Sequence, residues 1–524
     1  MLDEYLPQIN DFLPYDIRSR CSLANLAKAL INIHFPENPD MHNEAYKRLS
    51  FEEFFLFQLP LALRKLRKKA KAGISHKVDG ELVNTFIESL PFRLTASQQK
   101  VIEEIKSDMA KPFAMQRLLQ GDVGSGKTVV ATIAGLIAIQ GGYQAAFMVP
   151  TEILARQHYE KIKYQVSSIK YQGIKIGLLT SSANDKEKKK ILKEMSEAKI
   201  GLIIGTHALL EESVKFKNLG LIVIDEQHKF GVGQRALLPA KGINPDLLIM
   251  TATPIPRTLA ITLYGDLDVS VISELPPGRP AVKTMHFTQE NKPSAYEIAK
   301  GQLRLGYQGY IVYPVIEESY VLDIAGAKKM YAELKSGEFK DYRVGLIHGR
   351  LKQNEQDQVM SAFKQRELDL LVSTTVLEVG IDIPDATCMI VESAERFGLS
   401  QLHQLRGRVG RGSQESFCIL ISDCPTPEAK ARLAATIKYS DGFHIAEEDL
   451  KIRGPGEFFG RRQSGLSELR IADPLRQMQL LKKAREEAIR LINADPGLEL
   501  RQNIPLRGKL LERFPEYDKL VMVG

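Results

Sequence analysis

Gly121-Asp122-Val123-Gly124-Ser125-Gly126-Lys127-Thr128 is the stretch that decides the fold of this chain. It reads G-x-x-x-x-G-K-T, follows an apolar run at Met115–Leu119 and opens a helix-like run at Val129–Ile139. A phosphate-binding loop requires that order of strand, glycine-rich turn and helix. Gly121, Gly124 and Gly126 let backbone N–H groups converge on phosphates, and the helix N-terminus adds favourable partial charge there. Lys127 is expected to reach the β- and γ-phosphates of a nucleotide, and the Thr128 hydroxyl to sit on Mg²⁺. A plain glycine turn before an ordinary helix would leave the ordered combination unexplained.

Working outward, short apolar runs alternate with helical stretches from about Met115 to Thr253. The runs are Gln144–Pro150, Lys175–Leu179, Ile200–Thr206, Leu219–Asp225 and Asp246–Thr253. Several are apolar throughout, as strands buried on both faces should be. The alternation predicts an α/β fold with a parallel sheet. Pro276-Pro277-Gly278-Arg279-Pro280 breaks the pattern and reads as a linker. A second alternation follows, with strands expected at Gly309–Pro314, Arg343–His348, Asp369–Thr374, Thr387–Glu392 and Phe417–Ser422, and a helix at Gln353–Lys364. Both flanks read as helical: Leu23–Ile33 and Phe51–Lys71 before the sheets, Pro427–Tyr439 and Pro474–Ile492 after them. A glycine-rich stretch, Arg453–Gly465, joins the last two.

The 524 residues are too many for one core, so two to four domains are expected. Hydrophobic residues make up 44% and charged residues 26%, values ordinary for soluble domains. No long uncharged apolar stretch or secretion signal is evident, so no membrane span and a cytoplasmic location are expected. The four cysteines form no C-x-x-C pair, which argues against a disulfide framework and a zinc site. The formal charge of +7 is by itself weak support for a polyanionic partner. The basic run Arg64–Lys71 fits phosphate tracking and a solvated helix face equally well.

Two further clusters carry chemistry. Leu221-Ile-Val-Ile-Asp225-Glu226-Gln227-His228 is an apolar strand ending in carboxylates. Beside a phosphate-bound metal, Asp225 would hold Mg²⁺ and Glu226 would orient and deprotonate the attacking water. Gln404-Leu-Arg-Gly407-Arg408-Val-Gly410-Arg411 lies in the second alternation, with arginines spaced to project from one helix or helix-like turn. An arginine on the γ-phosphate stabilises transition-state charge, an effect of roughly 10³–10⁵ in rate. His207, His228, His348 and His403 match no zinc spacing.

These residues bring the chain to a family. It resembles superfamily 2 helicases and translocases and, within them, the bacterial RecG family of ATP-dependent DNA helicases. The resemblance runs through Leu94–Gln98, Gly121–Thr128, Val149–Ala155, Gly205–Leu209, Asp225–Val232, Thr251–Thr258, Ser373–Pro384 and Gln404–Arg411, in that order. Asp225-Glu-Gln-His228 followed by Lys-Phe-Gly-Val232 is similar to RecG rather than to the transcription-repair coupling factor. The stretch Asp441–Leu450 through Arg453–Glu457 to Gln463-Ser-Gly465 resembles the translocation motif the two families share.

The resemblance implies two tandem RecA-like parallel-sheet domains with a helical N-terminal segment and a C-terminal helical hairpin region. The implied boundaries are a helical linker at 1–89, an ATP-binding domain at 90–280, a second helicase domain at 281–425 and the translocation-motif region at 426–524. It implies ATP and Mg²⁺ as cofactors, with Gln98 on the adenine, Phe92 stacking, Gly380 and Asp382 at the nucleotide, and Lys127, Glu226, Arg408 and Arg411 catalytic. DNA contact or coupling is implied for Thr151, Thr206, Thr251, Thr253, Arg350, Thr374, Arg453, Glu457 and Gln463. Branched and duplex DNA are the implied substrates, a single-strand-binding protein a further partner, and a monomer the working unit. RecG proteins carry an N-terminal wedge, an OB-fold. No five-strand alternation precedes Leu90, so the wedge is expected to be missing from these residues. Intact Glu226, Arg408 and Arg411 argue against a nucleotide-switched DNA-binding module that turns over too slowly to do work.

Overall fold

The computed structural model describes residues 6, 9–167, 174–182, 184–226, 230, 237–251, 267–276, 280–314, 320–374, 383–424, 426–458, 469–474, 476–515 and 517; at 68, 320–327, 353 and 453–458 only the backbone is described. The chain begins with three helices, α1 (Tyr15–Cys21), α2 (Leu26–His34) and the 32-residue α3 (Pro39–Ala70), followed by α4 (Glu81–Ser89) and α5 (Ala96–Met109). The first sheet then forms from β1 (Gln116–Gly121), β2 (Gln144–Met148), β3 (Ile176–Leu179), β4 (Leu202–Gly205), β5 (Leu219–Asp225), β6 (Asp246–Thr251) and β7 (Asp268–Ile272). Helices α6 (Lys127–Gln140), α7 (Glu152–Ser167) and α8 (Asp185–Ser196) connect them.

The second sheet is built from β8 (Lys283–Phe287), β9 (Gln308–Val312), β10 (Val344–Ile347), β11 (Leu370–Ser373), β12 (Ala386–Val391) and β13 (Phe417–Ile421). Its helices are α9 (Lys292–Arg304), α10 (Tyr320–Ser336), α11 (Gln353–Lys364) and α12 (Leu399–Arg406). After it come α13 (Pro427–Lys438), α14 (Gly442–Phe458), α15 (Met478–Ala494) and α16 (Ile504–Arg513).

Every pairing in both sheets is parallel, in the orders β3-β4-β2-β5-β6-β1-β7 and β10-β11-β9-β12-β13-β8. Parallel strands covered on both faces must be apolar throughout. Accordingly all seven residues of β5 and all six of β12 are buried. The register sets Gln120 of β1 beside Thr251 of β6, and Asp225 of β5 beside Met250 of β6. The P-loop and the carboxylate pair therefore emerge at the same edge of the sheet, one strand apart.

β7 and β8 are strands that the sequence reading did not anticipate. Their polar residues, Asp268 and Ser270 in one and Lys283 and His286 in the other, mask them as loop. A second correction concerns Arg453–Gly465: α14 continues through Gly454-Pro455-Gly456 to Phe458. Residues 459–468 lie outside the described residues.

The two chain ends share one core. Leu13, just before α1, and Phe51, Phe54 and Phe55 of α3 pack with Leu481, Ala484 and Ile492 of α15 and Leu510 of α16. Inside this body the guanidinium of Arg48 is fully buried between Asp11 (2.8 Å) and Glu52 (2.7 Å). A buried arginine left without such partners would be strongly destabilising. Among the described residues, no helix is long and apolar enough to cross a membrane.

Candidate active site

The P-loop turns sharply from β1 into α6. Gly124 and Gly126 have φ of +80° and +90°, a backbone region that side chains rarely enter. A Cβ at Gly126 would also meet Gln98 Nε2 at 2.3 Å. Lys127 is buried, its Nζ donating to the carbonyls of Gly121 (2.8 Å) and Asp122 (2.9 Å). Burial pushes the Lys127 ammonium below its ordinary pKa; Glu226, Asp225 and Asp122 pull it back up, and Arg411 adds to the downward push. Lys127 thus lies in the combined field of both carboxylates and of an arginine from the second sheet's domain.

At the end of β5, Asp225 Oδ1 accepts from the Glu226 amide (3.1 Å), and Asp225 Oδ2 lies 3.3 Å from His158 Nε2 on α7. Glu226 sits in the left-handed region at φ +49°, an unusual and costly conformation for a non-glycine residue. The hydroxyl of Thr128 and the carboxylate of Asp225 are hard oxygen donors of the kind Mg²⁺ takes, so the donor set fits that ion.

The second domain reaches this loop directly. α12 ends at Arg406, and the turn that follows carries Arg408 and Arg411, with Arg411 Nε donating to the Gly407 carbonyl (3.1 Å). Gly407 packs so closely on the P-loop that a Cβ there would lie 2.9 Å from Val123 Cβ.

Asp122, for which the sequence reading offered no role, joins the two domains. Its Oδ1 accepts from the Val123 amide (2.6 Å) and from His403 Nε2 on α12 (2.5 Å), and its Oδ2 accepts from the Gly442 amide at the start of α14 (3.0 Å). The Nδ1 of His403 faces Arg406 Nη2 at 2.8 Å. A guanidinium can only donate, so Nδ1 accepts and the ring proton sits on Nε2, pointing at Asp122. Arg406 also donates to the carbonyls of Thr436, Tyr439 and Ser440 (2.7, 2.8 and 2.8 Å), which closes the circuit at the segment leading into α14. Burial alone would raise the Asp122 carboxyl, but the His403 and backbone bonds outweigh it and hold the pKa below its ordinary value. The arginines of the RGRVGR stretch are visible in the sequence. The pairing of positions 122 and 403 leaves no signal in a single chain.

The remaining expected residues fall in several places. Phe92 is 40% exposed and lines an open cleft of about 440 Å³ with Leu90, Arg93 and Gln99. Gln98 is buried, and its carboxamide is engaged by the Thr95 amide (2.9 Å) and the Ser125 carbonyl (2.7 Å), so it braces the P-loop. Thr151 is half-buried and Arg350 exposed, whereas Thr206, Thr251 and Thr374 are buried. Exposed neighbours, His207 beside Thr206 and Gly349 beside Arg350, carry the accessible surface. Arg453 and Glu457 lie on α14, where only the backbone is described. His228, Thr253, Gly380, Asp382 and Gln463 lie outside the described residues.

Two parallel sheets, one carrying the P-loop and the other the arginine-bearing turn that packs on it at Val123, define the two-lobed fold of the helicase class. Residues 95–261 match the family model for DEAD/DEAH box helicases, 307–413 the helicase conserved C-terminal domain, and 439–513 the C-terminal part of domain 3 of ATP-dependent DNA helicase RecG. The chain is 47% identical to the RecG helicase of Synechocystis sp., over 98% of this chain and 61% of that protein. Identity is 47% with RecG of Thermotoga maritima (97% and 65% covered) and 45% with RecG of Bacillus subtilis (98% and 75%). A solved structure of RecG bound to a three-way DNA junction superposes with a TM-score of 0.73 at 43% identity, covering 92% of this chain and 63% of that one. The helicase MrfA, at 18% identity and a TM-score of 0.53, shares the fold. The chain belongs to the RecG family. It spans about three fifths of the length of the Synechocystis relative and slightly less than two thirds of the Thermotoga one.

Proposed function

We propose that this chain is an ATP-driven translocase and helicase that moves along duplex DNA and acts at branched DNA such as replication forks and Holliday junctions, in recombination and repair. The observation that carries the proposal is the contact of the second domain with the P-loop, where Gly407 of the arginine-bearing turn packs on Val123 and His403 Nε2 donates to Asp122. The division of labour follows the boundaries 1–89, 90–280, 281–425 and 426–524.

Lys127 exchanges its two carbonyl partners for phosphate oxygens. Thr128 and Asp225 hold Mg²⁺, which supplies charge neutralisation at the phosphates. Glu226 orients and deprotonates the attacking water, and Arg408 and Arg411 stabilise the charge that develops on the γ-phosphate. Phe92 stacks on the base, and Gln98 reads it by exchanging its P-loop contact. Gly380 and Asp382 complete the nucleotide site from the second domain.

Grip on DNA is assigned to Thr151, Arg350 and the turns positioned by Thr206 and Thr374. Such contacts go mostly to phosphates and carry no sequence preference. Thr251, Thr253, Arg453, Glu457 and Gln463 couple cleft closure to DNA movement, with Asp122 joining the P-loop to His403 of α12 and to Gly442 of the translocation segment. A monomer acting in the cytoplasm, with a single-strand-binding protein as an additional partner, fits this reading. The deciding experiment is the ATPase rate without DNA, with linear duplex and with a model fork, using Lys127→Ala as the blank. Fork-stimulated hydrolysis supports the proposal, and a rate no higher than the blank's refutes it.

A further inference from the structure

Residues 439–477 are tied down at two ends, to different bodies. At the near end, Arg406 of α12 holds the carbonyls of Thr436, Tyr439 and Ser440, so this end belongs to the second sheet's domain. At the far end, Glu53 of α3 does the holding. Its Oε2 accepts from the amides of Arg470 (3.0 Å), Ile471 (3.0 Å) and Ala472 (2.9 Å), and its Oε1 also accepts from Arg470 (3.1 Å). A carboxylate that gathers three consecutive amides makes a strong, directional clasp, because hydrogen bonds to an ionised acceptor are about twice as strong as neutral ones.

Other α3 residues close around the same turn. Tyr46 Oη donates to the Ile471 carbonyl (3.1 Å), and Gln477 Nε2 donates to Ser50 Oγ (2.9 Å). Ala472 is buried in the core that holds Phe51, Phe54 and Phe55. Glu53 is itself buried.

The other end of α3 is fixed to the first sheet's domain. Lys65 Nζ lies 2.6 Å from Asp268 of β7. Just beyond the helix, Ala72 pairs with Phe113, the Gly73 amide donates to the Pro112 carbonyl (2.9 Å), and Asn244 Nδ2 donates to the Ala72 carbonyl (3.0 Å). The thirteen residues from Glu53 to Lys65, twelve helical rises, make a strut of about 18 Å. One end of the translocation segment is thus held by Arg406 of the second domain and by Asp122 of the P-loop, and the other, through α3, by the first domain.

We propose that Glu53 is a positioning residue for translocation. It anchors the far end of the segment on α3, so that movement between the two domains is delivered to α14 rather than lost by the whole segment drifting. This rests on the reading that the segment couples the ATP cycle to DNA. Glu53 touches neither nucleotide nor metal site, so DNA-stimulated hydrolysis does not depend on it; movement per ATP does.

The test is made on the full chain with Glu53→Ala and Glu53→Gln. Translocation is read as displacement of a third strand from duplex DNA, divided by ATP hydrolysed. Glu53→Ala is expected to keep kcat and KM for DNA-stimulated hydrolysis within about twofold, while displacement per ATP falls about tenfold to 10²-fold, the scale of a misplacement of about 1 Å. Glu53→Gln, which keeps one acceptor oxygen, recovers part of the ratio. An unchanged ratio in a folded Glu53→Ala variant overturns the proposal. A parent chain that hydrolyses no ATP overturns the function proposed above instead. Amide hydrogen exchange of the parent decides the anchor independently of motor output and of whether Glu53→Ala folds. Adding a non-hydrolysable ATP analogue should alter exchange within 442–458 and leave 470–472 as protected as before. Loss of protection at 470–472 together with 442–458 overturns the anchor.

Discussion

The two sheets run the same course. Counting strands from the start of each domain, both have the order 3-4-2-5-6-1, and the first adds β7 at its edge. They differ in the turn after the opening strand. β1 leads through Gly121–Thr128 into α6, whereas β8 leads through Thr288-Gln289-Glu290-Asn291 into α9. The second turn has no glycine to free its amides, and the lysine that opens α9, Lys292, is paired with Glu392 (2.9 Å). The turn is pinned instead, with the Gln289 amide donating to Asp423 Oδ1 (2.9 Å). Equal architecture with unequal turns separates what folds the chain from what is proposed to drive it: the strand order is a matter of apolar burial, and the proposed chemistry sits in eight residues of one turn, the carboxylate pair after β5 and the arginines of the second domain.

The sharpest break in that comparison comes from the turns themselves. Lys127→Ala should abolish hydrolysis in a steady-state phosphate-release assay, and Arg408→Ala or Arg411→Ala should slow it by roughly 10³–10⁵. Glu290→Ala, at the matching turn of the second domain, should leave the rate unchanged; a comparable loss there would erase the distinction between the turns. Next in size is Gly407→Val, which forces the second domain off Val123. With the P-loop intact but the arginines displaced, kcat should drop about 10²-fold. An unaltered kcat would mean that the close approach is dispensable.

A smaller effect belongs to Asp122. Its carboxyl is held below the ordinary pKa, so its bonds to His403 and Gly442 contribute stability above that ordinary value, and the contribution is lost as pH falls through the lowered folded value. Asp122→Asn should therefore unfold more easily than the parent near neutral pH, by about 2 kcal/mol, the scale of a hydrogen bond to a charged group. The gap should close under acid, and a pH-independent gap in thermal unfolding would contradict the ionic contribution. The mildest test is salt. DNA affinity should decline linearly on a log–log plot against salt concentration, and a flat response would remove the phosphate grip assigned to Arg350 and Thr151.

The legibility of the chain divides along the same line. The inner strands of both sheets can be read from sequence, since β2, β5, β9 and β12 are buried along their whole length and their composition says so. The lysine, the carboxylate pair and the arginines can be read too, because their chemistry demands fixed spacings. Edge strands β7 and β8 escape, since burial on fewer sides admits Asp268, Lys283 and His286. The continuation of α14 through Gly454-Pro455-Gly456 goes against local propensity, so no propensity argument could find it. Asp122 with His403, and Glu53 with Arg470–Ala472, are contacts between residues hundreds of positions apart. Nothing in the local spacing around either partner encodes them.

The shared core of the chain ends bears on how the protein is made. Leu13, Phe51, Phe54 and Phe55 leave a ribosome more than four hundred residues before the surfaces that bury them, Leu481, Ala484, Ile492 and Leu510. The two sheets can condense in the order of synthesis, as domains generally do. The helical body has to wait for α15 and α16 and then close a loop of more than four hundred residues, the slowest kind of contact to find. Until it closes, those phenylalanines are open to water and to other chains, and the early helices are the place where a nascent molecule is most exposed to misassembly.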